Sequence, residues 1–232
     1  MKNMGEVAAE ATEGQTERSG AAETGVHRAY RVSYPAMHEP TEAIRTSVLL
    51  EMGVRGGPNP HERVVVSSLL GGALEAAGTN IGDYEDLRPF EIEVLHPSRT
   101  LLEKLCLIHS LAIQVSTKAI ATDQLRRHGR HFYDIFKLLG DQRVLDFLAE
   151  PGYVDQIITS IEEVSRQEFG IEGDPRPEGG FANSPAFDRD SIVSEEMRFA
   201  YEAIMLELYF GVEPLPTWSE ILERVHERRE LL

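Results

Sequence analysis

The spacing of apolar residues along the chain changes near residue 98. Upstream, short alternating or continuous apolar runs predict strands over residues 29–36, 45–55, 64–66 and 90–95, and a short helix over residues 69–77. Downstream, apolar residues recur every three or four positions, which predicts helices over most of the remaining length. We therefore expect an α+β protein in which a partial mixed β-sheet is followed by an α-helical C-terminal domain.

The helical part opens with two helices that each carry a charged side chain beside an apolar stripe. Thr100 and Glu103 have the spacing of a capping box, so the first helix is predicted to begin near residue 100. Lys104 falls on the margin of its apolar face. In the second helix, His131 lies within the apolar arc and Asp134 lies at its edge. The charged groups of Lys104 and Asp134 are therefore both expected to point toward the interior or toward a cleft.

Charged groups in such positions need a partner, because an unpaired buried charge costs several kcal/mol. On a helix, Arg130 and His131 are both close enough in sequence to reach the carboxylate of Asp134. Lys104 and Asp134 are expected either to form an ion pair that holds two helices together or to bind a ligand. The spacing alone leaves both interpretations open.

The rest of the chain divides by composition. Further helices are predicted over residues 144–149, 154–168, 195–210 and 221–229, the last preceded by a second capping box at Thr217 and Glu220. Residues 170–190 are rich in Gly, Pro and Asp and predict a long loop, which either has a function or wraps the helices. The expected organisation is a disordered leader over residues 1–26, a strand-rich portion over 27–97 and a helical domain over 98–232.

The net charge of −16 argues against a general surface for nucleic acid or anionic membrane, since both polyanions need a basic face. One local basic patch exists within residues 118–143. Its cationic members are Lys118, Arg126, Arg127, Arg130, Lys137 and Arg143. The patch is interpreted either as a solvated helix face with mixed charges or as a platform for an anionic substrate.

Cysteine content and hydropathy indicate the cellular compartment. Cys106 is the only cysteine, which excludes an intrachain disulfide and a cysteine metal cluster, and its apolar neighbours predict a core position. No apolar run approaches the roughly 20 residues that span a bilayer, and no charged and apolar leader opens the chain. We expect a cytoplasmic protein that does not engage a membrane.

Glu51 interrupts the apolar strand that surrounds it, Val48-Leu49-Leu50-Glu51-Met52. Carboxylates on strands near the end of a sheet often hold a metal ion or a substrate. Strand alternation can equally place this side chain in solvent, so Glu51 is at most a weak metal-ligand candidate.

Several short blocks, taken in order, carry a resemblance. They are Leu50-Glu51, Gly56-Gly57-Pro58, the RTLLEKL run from Arg99 to Leu105, the RHFYD run from Arg130 to Asp134, and Gly179-Gly180-Phe181 followed by Ser184-Pro185. With these blocks the chain resembles the AbiEii/AbiGii-type toxin nucleotidyltransferase family over about residues 27–225. The RTLLEKL and RHFYD blocks are the most specific as an ordered pair.

The resemblance implies a fold, an activity and a set of site residues. Members of the family look like DNA-polymerase-β-type nucleotidyltransferases fused to a helical domain, they serve as toxins in toxin–antitoxin or phage-defence pairs, and some transfer nucleotides to tRNA acceptor ends. By match, Lys104 and Asp134 belong to the active site. Arg130, His131 and Arg99 lie in the same two blocks and are expected to bind substrate or phosphate. The implied cofactor is Mg²⁺, and the implied partners are an NTP, tRNA through the local basic patch, and a cognate antitoxin.

The family also has an upstream Gly-Ser/Thr turn and an Asp-x-Asp strand that hold metal ions and nucleotide. Residues 1–97 contain no counterpart of these, so we expect the chain to correspond to the second part of the family and to be truncated or split. A second hypothesis, of another class, is a noncatalytic binding or regulatory module that engages a protein such as an antitoxin.

Overall fold

A computed structural model describes residues 9–12, 27–33, 47–53, 59–169 and 176–232, with the backbone alone for the first three ranges. Its five strands are β1 (Ala9–Thr12), β2 (His27–Ser33), β3 (Ser47–Gly53), β4 (His61–Val66) and β5 (Phe90–Leu95), and α1 (Leu69–Ala76) lies between the last two. The predicted glycine-bearing turn at 56–58 lies outside the described residues.

The strands form two separate antiparallel sheets, β1-β2-β3 and β4-β5. Within each sheet, strands that follow one another in the sequence are paired, and every pair runs antiparallel. The sequence had predicted a mixed sheet. Among the described strands this prediction is wrong, because every pair is antiparallel. The predicted strands are confirmed with shifted ends. β1 was not predicted, and it lies inside the predicted disordered leader, residues 1–26. The other residues of that leader fall outside the described ranges.

The predicted α+β class is confirmed, because helices fill the chain after residue 96. They are α2 (Pro97–Ser116), α3 (Thr122–His128), α4 (Arg130–Leu138), α5 (Gln142–Leu148), α6 (Tyr153–Phe169), α7 (Ile192–Leu208) and α8 (Trp218–Glu227). The long α2 lies at the centre and contacts α4, α5, α6 and α7. Its apolar face, including Leu101, Leu105 and Ile108, is fully buried.

The start of α2 differs from the prediction. The helix begins at Pro97, and the imidazole Nδ1 of His96 caps it by accepting from the Ser98 backbone N–H at 3.2 Å. Glu103 pairs with Arg99 instead of closing a box on Thr100. Proline is well suited to the first position of a helix, because it lacks the N–H that would be left unpaired there. The second predicted capping box, Thr217 with Glu220, is confirmed at α8.

The long loop before α7 wraps the helices, as far as it is described from residue 176 onward. Phe181 and Phe187 are fully buried, and the Ser184 hydroxyl lies 2.9 Å from Nδ1 of His109 on α2. Gly180 has φ +97° and packs against the backbone of Leu232, so a side chain there would meet both strain and contact.

Cys106 is buried, as predicted, and burial raises the pKa of its thiol to about 12. Such a thiol stays protonated and inert at neutral pH. None of the helices in the described part of the chain combines the length and the apolar character needed to cross a bilayer.

Candidate active site

Lys104 on α2 and Asp134 on α4 meet where the two helices pack. The Lys104 ammonium nitrogen lies 2.8 Å from Oδ2 of Asp134. The side chains are 20% and 40% exposed, so both can be reached by a solute. The sequence predicted that these groups converge, and the structure places them in direct contact while leaving them partly open to solvent.

Buried apolar residues on both helices fix this contact. Leu101 and Leu105 flank Lys104 on α2 and are fully buried, as are Phe132 and Ile135 on either side of Asp134 on α4. The aromatic ring of Phe132 also packs edge-on against Trp218 of α8, with ring centroids 4.7 Å apart. Because these apolar groups anchor both helices in the core, the charged groups have little freedom to separate.

A glycine sets where α4 begins. Gly129 separates α3 from α4, and its Cα lies so close to α7 that an added Cβ would be 2.6 Å from the Ala200 carbonyl carbon and 2.7 Å from the Tyr201 nitrogen. No side chain fits in that space. This close approach positions the first turn of α4, which carries Arg130 and His131. Sequence reasoning missed this role, although a glycine between two helical runs was the available signal.

His131 completes the contact between the helices. Its Nδ1 lies 3.1 Å from the Lys104 nitrogen and 3.6 Å from Oδ2 of Asp134. A neutral ring accepts a hydrogen bond from the ammonium group through Nδ1, whereas a protonated ring faces the carboxylate with a charge. The neutral ring therefore stabilises the pair, whereas a protonated ring attracts the Asp134 carboxylate and also repels the Lys104 ammonium.

The electrostatics keep Asp134 ionised. Partial burial by itself would raise the pKa of Asp134, but the nearby His131 ring, the hydrogen bond from Lys104 and the Lys104 charge hold that pKa below its ordinary value. Asp134 is therefore a carboxylate at neutral pH, and it accepts the hydrogen bond that orients the Lys104 ammonium. A carboxylate in this state accepts hydrogen bonds and is a weak base.

Arg130 lies one residue before His131, at the start of α4, and is exposed. Within the described ranges it makes no hydrogen bond or ion pair, so its guanidinium does not reach Asp134 as the spacing had allowed. An unpaired, exposed guanidinium remains able to bind an anion such as phosphate.

Arg99 is placed differently from the other predicted phosphate-binding residues. Its side chain is 2% exposed and pairs with Glu103 at 2.9 Å. The same guanidinium donates to the Asn59 carbonyl at 2.8 Å and lies 3.3 Å from the Ser160 hydroxyl. Arg99 thus joins α2 to α6 and to the segment before β4, and the structure does not bring it to the Lys104–Asp134 pair.

The weak metal-ligand candidate, Glu51, lies on β3 opposite Ala29 of β2. Its side chain is outside what the structure describes. Within the described residues, no group of three or more His, Cys, Asp or Glu side chains is arranged to hold a metal ion. The described donor set therefore does not fit Mg²⁺, since the one carboxylate at the site is already bound by Lys104 and His131.

The predicted basic patch is partly neutralised by ion pairs. Arg126 pairs with Glu207, Lys137 with Glu213 at 3.4 Å, and Arg143 with Asp141 at 2.9 Å. The other three cations of this patch have no ion-pair partner among the described residues; they are Lys118, Arg127 and Arg130. What remains for an anionic substrate is a small group of cations, of which Arg130 is beside the Lys104–Asp134 pair.

A hollow of about 320 Å³ lies at the start of α7, away from this pair. Its lining includes Arg189, Ser191, Ile192, Glu195 and Trp218, and neither Lys104 nor Asp134 contributes to it.

Comparison with known proteins gives one match. The family model described as nucleotidyl transferase AbiEii toxin, type IV toxin–antitoxin system, matches residues 2–224. No curated protein and no solved structure matches the chain.

Proposed function

Because the chain belongs to the AbiEii family of nucleotidyl transferase toxins of type IV toxin–antitoxin systems, we propose that it transfers a nucleotide from an NTP to an RNA acceptor, with tRNA as the acceptor class. The observation that carries this proposal is the 2.8 Å contact between Lys104 and Asp134 on a solvent-accessible surface. The family resemblance assigns these two residues to the active site, and their geometry suits phosphate chemistry.

In the proposal, Lys104 binds the triphosphate. An ammonium group has three N–H donors, and Asp134 and His131 accept two of them at 2.8 and 3.1 Å. The third has no partner within the described residues and is free for a phosphate oxygen. With His131 neutral, the charges of Lys104, Asp134 and Arg130 sum to one positive charge, which favours an anionic ligand.

Arg130 is proposed to bind a second phosphate oxygen or the acceptor backbone. Its exposed guanidinium offers five N–H donors in a planar arrangement that matches phosphate. Because it follows Gly129 directly, its position depends on the close packing of that glycine against α7. His131 is proposed as a positioning residue that acts on the Lys104 ammonium.

In the transfer step, the acceptor hydroxyl oxygen attacks the α-phosphorus of the NTP. The bond between the α-phosphorus and the oxygen that bridges it to the β-phosphorus breaks, pyrophosphate leaves with that oxygen, and the hydroxyl proton passes to solvent water. Lys104 offsets negative charge on the departing pyrophosphate, while Asp134 orients Lys104 or accepts a hydrogen bond from the acceptor hydroxyl. In this proposal Mg²⁺ enters bound to the NTP. No step is assigned to the ion, because the described side chains do not form a site that fits Mg²⁺.

The test is transfer of radiolabel from each of the four NTPs to bulk tRNA. The assay uses the chain expressed together with its upstream reading frame, because the segment expected to hold metal ions and nucleotide has no counterpart in residues 1–97. We expect this wild-type protein to label tRNA with at least one NTP and its Lys104→Ala variant to lose nearly all of this activity. Arg63→Ala is the matched control, since it removes an exposed cation of β4 whose ion pairs among the described residues are with Glu91 and Glu93. No labelling by the wild type, or equal labelling by Lys104→Ala, would refute the proposal.

The second candidate is a noncatalytic module that engages a protein partner such as a cognate antitoxin. It is favoured by the exposed apolar side chains of α7, which are not used in the transfer reaction. Titration calorimetry separates the two candidate functions. A noncatalytic module should form a tight complex with its protein partner and should give no heat of binding with an NTP.

A further inference from the structure

The helix α7 is apolar on two opposite sides. One side carries Val193, Met197, Tyr201 and Met205, which are buried in the core. On the other side Ile192, Phe199 and Leu206 are 74%, 55% and 85% exposed. These three residues are spaced seven apart, so they line one stripe of the helix. A solvated helix face is expected to be polar, and this one is not.

The stripe continues past the end of the helix. Phe210 is 77% exposed and Val212 is fully exposed, both in the turn that follows α7. We name Ile192, Phe199, Leu206, Phe210 and Val212 together the α7 stripe. Between Ile192 and Leu206 the helix rises by about 21 Å, which is enough to seat several turns of another helix. Exposed apolar residues in a contiguous row mark interaction surfaces more often than residues scattered singly.

The flanks of the α7 stripe are acidic. Glu195, Glu196, Glu202 and Glu207 are all exposed on α7, against the single cation Arg198. Arg198 is already engaged, since it lies 3.5 Å from Glu195 and 3.3 Å from Glu202 and covers the ring of Phe199 at 4.5 Å. Glu207 is engaged as well, since it pairs with Arg126 of α3. Four carboxylates against these two cations leave a net charge of −2, so the surface offered to a partner is an apolar row with acidic flanks.

We propose that the α7 stripe is a docking site for an amphipathic helix of another protein, one that presents apolar residues at heptad spacing between lysines and arginines. The apolar row provides the burial, and the flanking carboxylates select a basic partner. A second copy of this chain is disfavoured as the occupant, because it would bring the same glutamates toward each other. The inference is independent of nucleotide transfer.

The turn after α7 also connects the stripe to the candidate active site. The ring of Tyr209, next to Phe210, packs on Tyr133 with centroids 5.6 Å apart, and Tyr133 directly precedes Asp134. The Tyr209 hydroxyl donates to the Glu213 carbonyl at 2.8 Å, which holds the turn closed. A helix seated on the full stripe would therefore end close to α4.

The probe for the test is a fluorescein-labelled synthetic peptide of three heptads, with leucine at the core positions and lysine at the flanking positions. A matched peptide carries glutamate in place of lysine. Fluorescence anisotropy is measured with the wild-type chain, with the double variant Phe199→Ser/Leu206→Ser, and with Leu69→Ser. Leu69 on α1 is 94% exposed and lies outside the stripe, so it controls for loss of any exposed apolar side chain.

We expect the wild type and Leu69→Ser to bind the lysine peptide equally, and the double variant to bind it about ten-fold more weakly. The glutamate peptide is expected not to bind, and added salt is expected to weaken the lysine complex. Transfer to tRNA by the double variant is expected to equal that of the wild type, so this inference and the proposed function can fail separately. Circular dichroism confirms that the variants are folded.

Three results would overturn the inference. The double variant could bind the lysine peptide as well as the wild type does, which would place binding elsewhere. The wild type could fail to bind it, which would mean that the stripe is already covered by the chain itself. Sedimentation could show a dimer that Leu206→Ser dissociates, which would make a second copy the occupant.

Discussion

Lys104 of α2 and Asp134 of α4 are 30 positions apart in sequence and 2.8 Å apart in space. An ordinary ion pair between two helices would have the same distance, so distance alone does not define a site. Two further features distinguish this pair. Both side chains are partly exposed, and Lys104 keeps an N–H free within the described residues while the unpaired Arg130 lies beside it. The proposed role of the contact in phosphate binding rests on these features.

The lowered pKa of Asp134 gives a pH-dependent prediction. Stabilisation of the ionised carboxyl is present above the unfolded-state pKa, about 3.9 for aspartate, and is lost as the pH falls through the lower folded-state pKa. We expect Asp134→Asn to be less stable than the wild type at pH 7, by about 1 kcal/mol or less because the group is partly exposed. Urea unfolding measured from pH 7 to pH 2.5 should show this difference shrinking below about pH 4. A constant difference across that range would contradict the assigned electrostatics.

The same group can be observed directly. Lys104→Ala removes a hydrogen bond and a positive charge from Asp134, so the pKa of Asp134 should rise. A carbon-13 NMR titration of the aspartate carboxyl groups measures this change, with Arg63→Ala as the control that leaves the resonance unchanged. An unshifted Asp134 titration in Lys104→Ala would mean that the two groups are not in contact in solution.

Arg99 and Arg130 are predicted to behave in opposite ways. Arg99→Ala empties a buried position and leaves Glu103 and the Asn59 carbonyl without their donor, which should cost about 3 kcal/mol in the free energy of unfolding. Arg99→Lys should not restore the stability, because lysine cannot make the forked contacts. Arg130→Ala should leave the unfolding midpoint within error of the wild type and weaken binding of NTP or RNA. Loss of binding without loss of stability in Arg99→Ala would instead support Arg99 as a phosphate ligand.

Gly129 is predicted to tolerate no side chain. Gly129→Ala would place a Cβ against the Ala200 backbone, and overpacking of this kind costs about 1–3 kcal/mol. Gly72→Ala on α1 is the matched control, since nothing lies within 4 Å of its added Cβ and alanine favours a helix by about 1 kcal/mol. Urea midpoints should therefore fall for the first variant and stay level or rise for the second. Equal midpoints for Gly129→Ala and the wild type would exclude the close approach to α7.

The sequence predicted the candidate site better than it predicted the local geometry around it. Helical spacing placed Lys104 and Asp134 at the margins of apolar faces, and packing of those faces brings the two groups together. The capping box at Thr100 was wrong because His96 and Pro97 start the helix earlier, and His96 caps through its ring. Such a cap depends on ring geometry that spacing does not encode.

Long-range contacts explain the other differences. The burial of Arg99 depends on the Asn59 carbonyl, 40 positions away, and on Ser160 on another helix. The short helix α3 was missed because its sequence, TDQLRRH, offers a single apolar residue, and packing against α7 supplies the rest. The exposed α7 stripe is not distinguished by spacing either, because an apolar residue at helical spacing such as Phe199 is expected to be buried, whereas Phe199 is 55% exposed.

Exchanging the two charges tests most directly whether this pair is a site or only a tie between helices. Lys104→Glu and Asp134→Lys should each lower the unfolding midpoint, and the double variant should recover part of that loss, because the ion pair is restored with its direction reversed. Transfer of label from NTP to tRNA, measured on the same double variant, should stay abolished, since the ammonium group now lies on α4 and no longer occupies the position proposed to bind phosphate. Recovery of transfer together with stability would contradict the proposed role of Lys104.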